Sequence, residues 1–128
     1  MESEESLFPL PKADAGPRPF GPRERAELAG WMRKSTMKEI EDYRKLSPEG
    51  LAAVIQNFGT SDAEEIKRAT SSSIRGNGGK EQAMAILQTS IEVIDEVLAT
   101  ESDPEIIKVL NARKARCKEL LTATESVV

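Results

Sequence analysis

Carboxylates and bases are the abundant reactive groups of this chain, and along its C-terminal part they are sorted by sign. Glu92, Asp95, Glu96, Glu101, Asp103 and Glu105 follow one another with no base among them. Lys108, Arg113, Lys114, Arg116 and Lys118 come next with no acid between them. Folded as a helical hairpin, such a stretch carries an acidic pole at its tip and a basic zone towards its open end. Glu92, Asp95 and Glu96 then approach the negative end of a helix dipole, which local stability disfavours. They read either as a solvated polar end or as a docking pole for a basic partner surface; a divalent metal site is disfavoured, because their spacing fits no EF-hand loop. Arg113, Lys114, Arg116 and Lys118 are the candidates for contact with phosphate. They also suit the C-terminal half of a helix, and no aromatic residues stand between them for base stacking.

The rest of the inventory excludes more than it offers. The chain has no histidine and a single cysteine, Cys117. That removes histidine-based acid/base chemistry, most zinc sites and any internal disulfide framework. The run from Gly76 to Glu81 imitates a phosphate loop, but it lacks the earlier glycine, the Ser or Thr after Lys80 and a preceding strand. No carboxylate pair stands out as an acid/base couple. The expectation is therefore a protein that is not an enzyme, with no catalytic, cofactor-binding or metal-binding residues and no cofactor. Cys117 falls on an apolar helical stripe and reads as a small buried hydrophobe rather than a reactive thiol.

The apolar candidates for recognition lie nearer the N-terminus. Pro9, Pro11, Pro17, Pro19 and Pro22 break up the first part of the chain. Each removes a backbone donor and forces its predecessor towards extended geometry. Residues 1–22 thus read as a disordered acidic and proline-rich tail. Leu7, Phe8, Leu10 and Phe20 within it form a segment suited to docking in an apolar groove, on a partner or on its own domain. Trp31 and Tyr43 read either as core filler of the first helix or as interface anchors, and Trp31 and Met32, side by side at the start of the folded part, widen its apolar arc towards an exposed patch.

These residues must be positioned by helices. The 128 residues carry 38% hydrophobic and 31% charged side chains with only 4% aromatics, so the core has to be aliphatic. Apolar positions recur at three- and four-residue steps from residue 23 to 46. Ser47-Pro48-Glu49 starts a second helix that Gly59 ends as a left-handed residue would. The spacing of Ser61 and Glu64 starts a third, which weakens through Ser71, Ser72 and Ser73. A glycine-rich loop follows. The fourth helix, residues 80–100, bears a seam of Met84, Leu87, Ile91, Ile94 and Leu98 beside a second stripe of Ile86, Val93 and Val97. So broad an arc marks it as the central helix. Ser102 and Glu105 bracket the start of a fifth, residues 104–122, which the short link makes antiparallel to the fourth. The fold class expected is all-α: a small bundle of about five helices over residues 23–124, with a long antiparallel C-terminal hairpin.

The net charge is −4. That disfavours, without excluding, a nucleic-acid binder, whose affinity rests on neutralised phosphates. No apolar run approaches membrane-span length, and the acidic N-terminus does not resemble a secretory leader. The expectation is an intracellular, soluble protein-interaction module of regulatory, adaptor or scaffold type, binding a protein partner and able to self-associate. The alternative is a nucleic-acid-binding regulator using helix 61–74 or the basic helix 104–122.

Overall fold

The computed structural model of the chain describes residues 21–59 and 62–127. They form five helices: α1 (Pro22–Arg44), α2 (Pro48–Gly59), α3 (Ala63–Gly76), α4 (Lys80–Thr100) and α5 (Pro104–Glu125). There is no strand among the described residues, so the all-α expectation holds. Most of the expected tail, residues 1–20, lies outside the described residues. Pro22 does not belong to it: it is the first residue of α1, where its missing N–H would have had no helical partner.

Local chemistry explains where the helices begin. The Gly21 N–H is held by the Glu24 carboxylate at 3.1 Å, and the Ser47 hydroxyl accepts the Gly50 N–H at 3.0 Å. Two caps differ from expectation by one residue. Asp103, not Ser102, caps α5 by accepting the Glu105 N–H at 3.0 Å. Asp62 caps α3 by accepting the Glu64 N–H at 3.3 Å, while Ser61 lies outside the described residues. A carboxylate caps as well as a hydroxyl and also favours the positive end of the dipole. The helix ends bring further corrections. Gly59 closes α2 without a left-handed backbone; the positive φ angles belong to Gly78 (86°) and Gly79 (133°), in the turn between α3 and α4. The three serines do not end α3, which continues to Gly76, and the Asn77 amide donates to the Ser73 carbonyl at 2.8 Å beyond them. Likewise α5 runs past residue 122 to Glu125.

Only residues 101–103 separate α4 from α5, and the two helices pack antiparallel along their length. α1 runs parallel to α4, as three rungs in ascending order show: Arg25 to Gln88 (2.9 Å), Arg33 to Glu96 (2.8 Å) and Arg44 to Glu101 (2.9 Å). Leu28, Met32 and Ile40 of α1, Ile86, Val93, Ile94 and Val97 of α4, and Ile106 and Leu110 of α5 make one aliphatic core. On the other side, α2 and α3 each lie against α5. Hence α5 packs against all four other helices, while α4, packed on α1, α3 and α5, buries more residues than any other. Both α4 stripes reach the interior: Ile86, Val93 and Val97 are buried, as are Leu87 and Ile94 of the seam, whereas Met84, Ile91 and Leu98 are only half-buried. Periodicity locates an apolar arc, but the neighbours decide which part of it lies deepest.

The open end of the hairpin is closed by a side chain. The Lys80 ammonium, at the start of α4, donates to the carbonyls of Glu125 (3.1 Å) and Val127 beside the end of α5. It supplies donors and positive charge to carbonyls that a helix end leaves open.

Candidate partner-binding cleft

Where α1, α4 and α5 meet, the packing leaves a cleft of about 210 Å³. Its lining includes Met32, Val93 and Ile94 from the aliphatic core, with Trp31 and Cys117, both partly buried against that core. The polar lining consists of Ser35, Thr36, Glu39, Ser90 and Arg113. The helical register of α1 brings Trp31, Ser35 and Glu39 to one edge at four-residue steps.

Arg113, Glu39 and Ser90 are held by partners within the bundle. The Arg113 guanidinium donates to Glu39 at 2.7 Å, tying α5 to α1. It also hydrogen-bonds the Tyr43 phenol. Burial raises the Tyr43 pKa, and the Glu39 carboxylate adds to that, while Arg113 opposes it. The Ser90 hydroxyl donates to the Met32 sulfur at 3.4 Å. Thr36, only 4% exposed, completes the buried part of the lining. Burial likewise pushes the Cys117 thiol up, against the lowering pull of Arg113 and Arg116. Cys117 is therefore held protonated, as a small hydrophobe on the cleft wall rather than a thiolate nucleophile.

The structure separates the expected site residues into groups. Trp31 lines the cleft half-buried, whereas Met32 is 7% exposed and belongs to the core. Met32 is thus a floor rather than part of an exposed patch; its position one residue on turns it inward. Leu7, Phe8, Leu10 and Phe20 lie outside the described residues. The acidic pole is largely answered from within. Asp95 pairs with Lys114 at 2.6 Å and Glu96 with Arg33 at 2.8 Å. Arg44 reaches both Glu101 (2.9 Å) and Asp103 (3.6 Å). The unfavourable dipole position of Asp95 and Glu96 is therefore offset by bases from α5 and α1. Glu92 is exposed, with no ion-pair partner among the described residues.

The basic zone is answered in the same way. Arg113, Lys114 and Arg116 pair with Glu39 of α1, Asp95 of α4 and Glu65 of α3 (3.4 Å), respectively. Their side chains are only 21%, 25% and 17% exposed. A phosphate would have to displace a carboxylate at each; Lys118 alone of the four is exposed. Nor do α2 and α3 form a helix-turn-helix unit, because each rests on α5 rather than on the other. Among the described residues no cluster of acids and cysteine fits a metal ion, and no helix is long and apolar enough to cross a membrane.

Glu101 is the one carboxylate drawn deeply into this network, with its side chain 9% exposed. Burial acts to raise its pKa. The Asp103 N–H, donated at 3.0 Å, and the Arg44 guanidinium outweigh that, so the carboxyl is held below its usual range.

Sequence reasoning missed Ser35, Thr36, Glu39 and Ser90. A signal for the first two was present: small polar residues interrupt the inward stripe of α1 between Met32 and Ile40. A second groove lies between α3 and α5, lined by Ala63, Ile66, Ala115, Thr122 and Ala123 among others. It is more open and lacks an aromatic wall. The chain matches no protein-family model, and neither the curated proteins nor the solved structures include a significant match to it.

Proposed function

We propose that this chain is a non-enzymatic protein-interaction module that seats one apolar side chain of a protein partner in the Trp31–Cys117 cleft. The size and lining of the cleft carry this reading. At about 210 Å³ it falls below the range of about 300–1,000 Å³ in which pockets enclose whole small molecules. An aliphatic floor, a tryptophan wall and hydroxyl groups suit an anchor side chain together with the backbone that bears it. The protonated Cys117 and the paired Arg113 add surface and shape rather than reactivity.

The test is affinity capture from native extract with the wild-type chain and with Ser35→Phe, which fills the cleft. Both are first compared by circular dichroism to confirm equal helix content. A partner enriched by the wild type and lost with Ser35→Phe supports the proposal. Equal capture by both overturns it.

A further inference from the structure

Around one serine of α3 the charges are not paired off as they are elsewhere. Side chains three and four positions apart are neighbours on a helix surface. For Ser71 those neighbours are Lys67, Arg68, Ile74 and Arg75, so three of the four are cations. All three are exposed, as is Ser71, and none has an ion-pair partner among the described residues. By contrast, Arg33, Arg44, Arg113, Lys114 and Arg116 each hold a carboxylate elsewhere in the bundle. The acids of α3 stand away from Ser71: Glu64 and Glu65 lie in the first turn, and Glu65 is engaged by Arg116 at 3.4 Å. We propose that Ser71 is a phosphorylation site, and that Lys67, Arg68 and Arg75 form the receptor for its phosphate.

Sequence and packing both suit Ser71 to the transfer. Arg68 stands three residues before it, the offset at which an arginine-directed serine kinase reads a base. Such a kinase takes its substrate extended, so α3 has to open, and little holds it closed. Thr70 is the one residue of α3 that is buried, and its hydroxyl is buried without a hydrogen-bond partner, which costs stability. Ser71, Ser72 and Ser73 carry hydroxyls that compete with the helical backbone. A segment with so few buried contacts opens locally at low free energy. In the transfer, the Ser71 Oγ bonds to the γ-phosphorus of a magnesium-bound nucleoside triphosphate, and the bond from that phosphorus to its bridging oxygen breaks. The hydroxyl proton passes to the carboxylate base of the kinase, and the nucleoside diphosphate leaves.

The product bears about −1.5 to −2 charges at pH 7 and three strong acceptor oxygens. Lys67 and Arg68 lie one turn before it and Arg75 one turn after it. A re-formed α3 therefore brings cations to the phosphate from both sides, and the arginine fork matches phosphate geometry. Phosphorylation thus tightens a weakly held helix. The three bases surround a single hydroxyl, which suits one attached phosphate better than the row of phosphates in a nucleic acid.

The experiment treats the folded full-length chain with magnesium-ATP and an arginine-directed serine kinase, and locates phosphate by fragmentation mass spectrometry. A single phosphate on Ser71 is expected, with none in Ser71→Ala and severalfold slower transfer in Arg68→Ala. The receptor is tested separately with Lys67→Ala/Arg75→Ala, which keeps Arg68. Equal helix content by circular dichroism is confirmed for every variant before treatment. Cations favour the dianion, so the second phosphate pKa, ordinarily about 6, should lie lower in the phosphorylated wild type than in the phosphorylated double variant, as read by phosphorus NMR. The difference should shrink at about 1 M salt, where the Debye length is about 3 Å. Phosphorylation should also slow hydrogen exchange across α3, and do so less in the double variant.

Phosphate on Ser72 or Ser73 instead, no transfer to the folded chain, or transfer indifferent to Arg68→Ala overturns the site. Equal phosphate pKa values and equal exchange in wild type and double variant overturn the receptor. Salt-sensitive binding of an oligonucleotide by the unmodified chain, lost in Lys67→Ala/Arg68→Ala/Arg75→Ala, overturns it too, because the bases then serve a strand of phosphates. None of these outcomes bears on the Trp31–Cys117 cleft.

Discussion

The two sides of α5 are built differently. Towards α1 and α4 it helps to enclose a continuous aliphatic core in which Leu110 and Ile106 are almost wholly buried. Towards α2 and α3 the cover is thin: Leu51 is the only residue of α2 that is buried, and Thr70 the only one of α3. The Thr70 hydroxyl is moreover buried without a hydrogen-bond partner. On the proposed reading, stability and recognition share one side of the bundle. The well-packed side bears the smaller and more enclosed cleft of about 210 Å³, while the thin side bears a larger, more open groove of about 690 Å³ between α3 and α5. Preorganised concavity, rather than exposed apolar area, is what makes an anchor site.

Substitutions on the two sides should sharpen this contrast. Leu110→Ala removes a side chain at the centre of the core and should cost about 2–5 kcal/mol in chemical denaturation, with loss of the whole cooperative transition. Leu51→Ala, at the edge of the thin layer, should cost about 2 kcal/mol, the low end of that range, because α2 can settle into the space. Hydrogen exchange should then quicken in α2 while α4 stays protected. Equal and global loosening in both variants would mean that the two sides are one unit.

A smaller effect tests the hairpin that links the sides. Asp103→Ala removes the cap of α5 and should lower stability by about 1 kcal/mol. The loss should be seen as a shifted denaturation midpoint with an unchanged slope.

The smallest effects are those of pH. Cys117 and Tyr43 have pKa values raised by burial on the core side. Groups raised on folding contribute stability that is complete below their unfolded pKa and is lost as pH rises through the folded pKa. The core side should therefore weaken in alkali, and Cys117→Ala should flatten that decline. Glu101 has the opposite sign. Its carboxyl is lowered on folding, so its contribution is present above the unfolded value and falls away in acid. Glu101→Gln should reduce the acid loss, measured by denaturation midpoints across pH.

The helices were legible in the sequence because their start signals are local: Pro48 and Pro104 each follow a residue that caps. The arrangement was not, because it depends on partners far apart in the chain. Nothing near Asp95 announces Lys114, and nothing near Glu96 announces Arg33. The sorted charges therefore suggested poles for outside partners, whereas the fold uses most of them to join its own helices. The prominence of Trp31 and the inward turn of Cys117 could be read from residue type and periodicity. That they border one space could not, since it requires α1 to run parallel to α4 with α5 between their edges. Ser90 was missed because a hydroxyl on a helix face looks the same whether it meets solvent or a cleft, whereas Ser35 and Thr36 could have been found as the polar break in the inward stripe of α1.

The most direct test places one obstruction on each side of α5. Capture from native extract is compared for the wild type, for Ser35→Phe in the cleft and for Ala123→Arg in the α3–α5 groove, all checked for equal helix content. The account predicts that the partner is lost with Ser35→Phe and retained with Ala123→Arg. Loss with Ala123→Arg and retention with Ser35→Phe would contradict it and move recognition to the thin side.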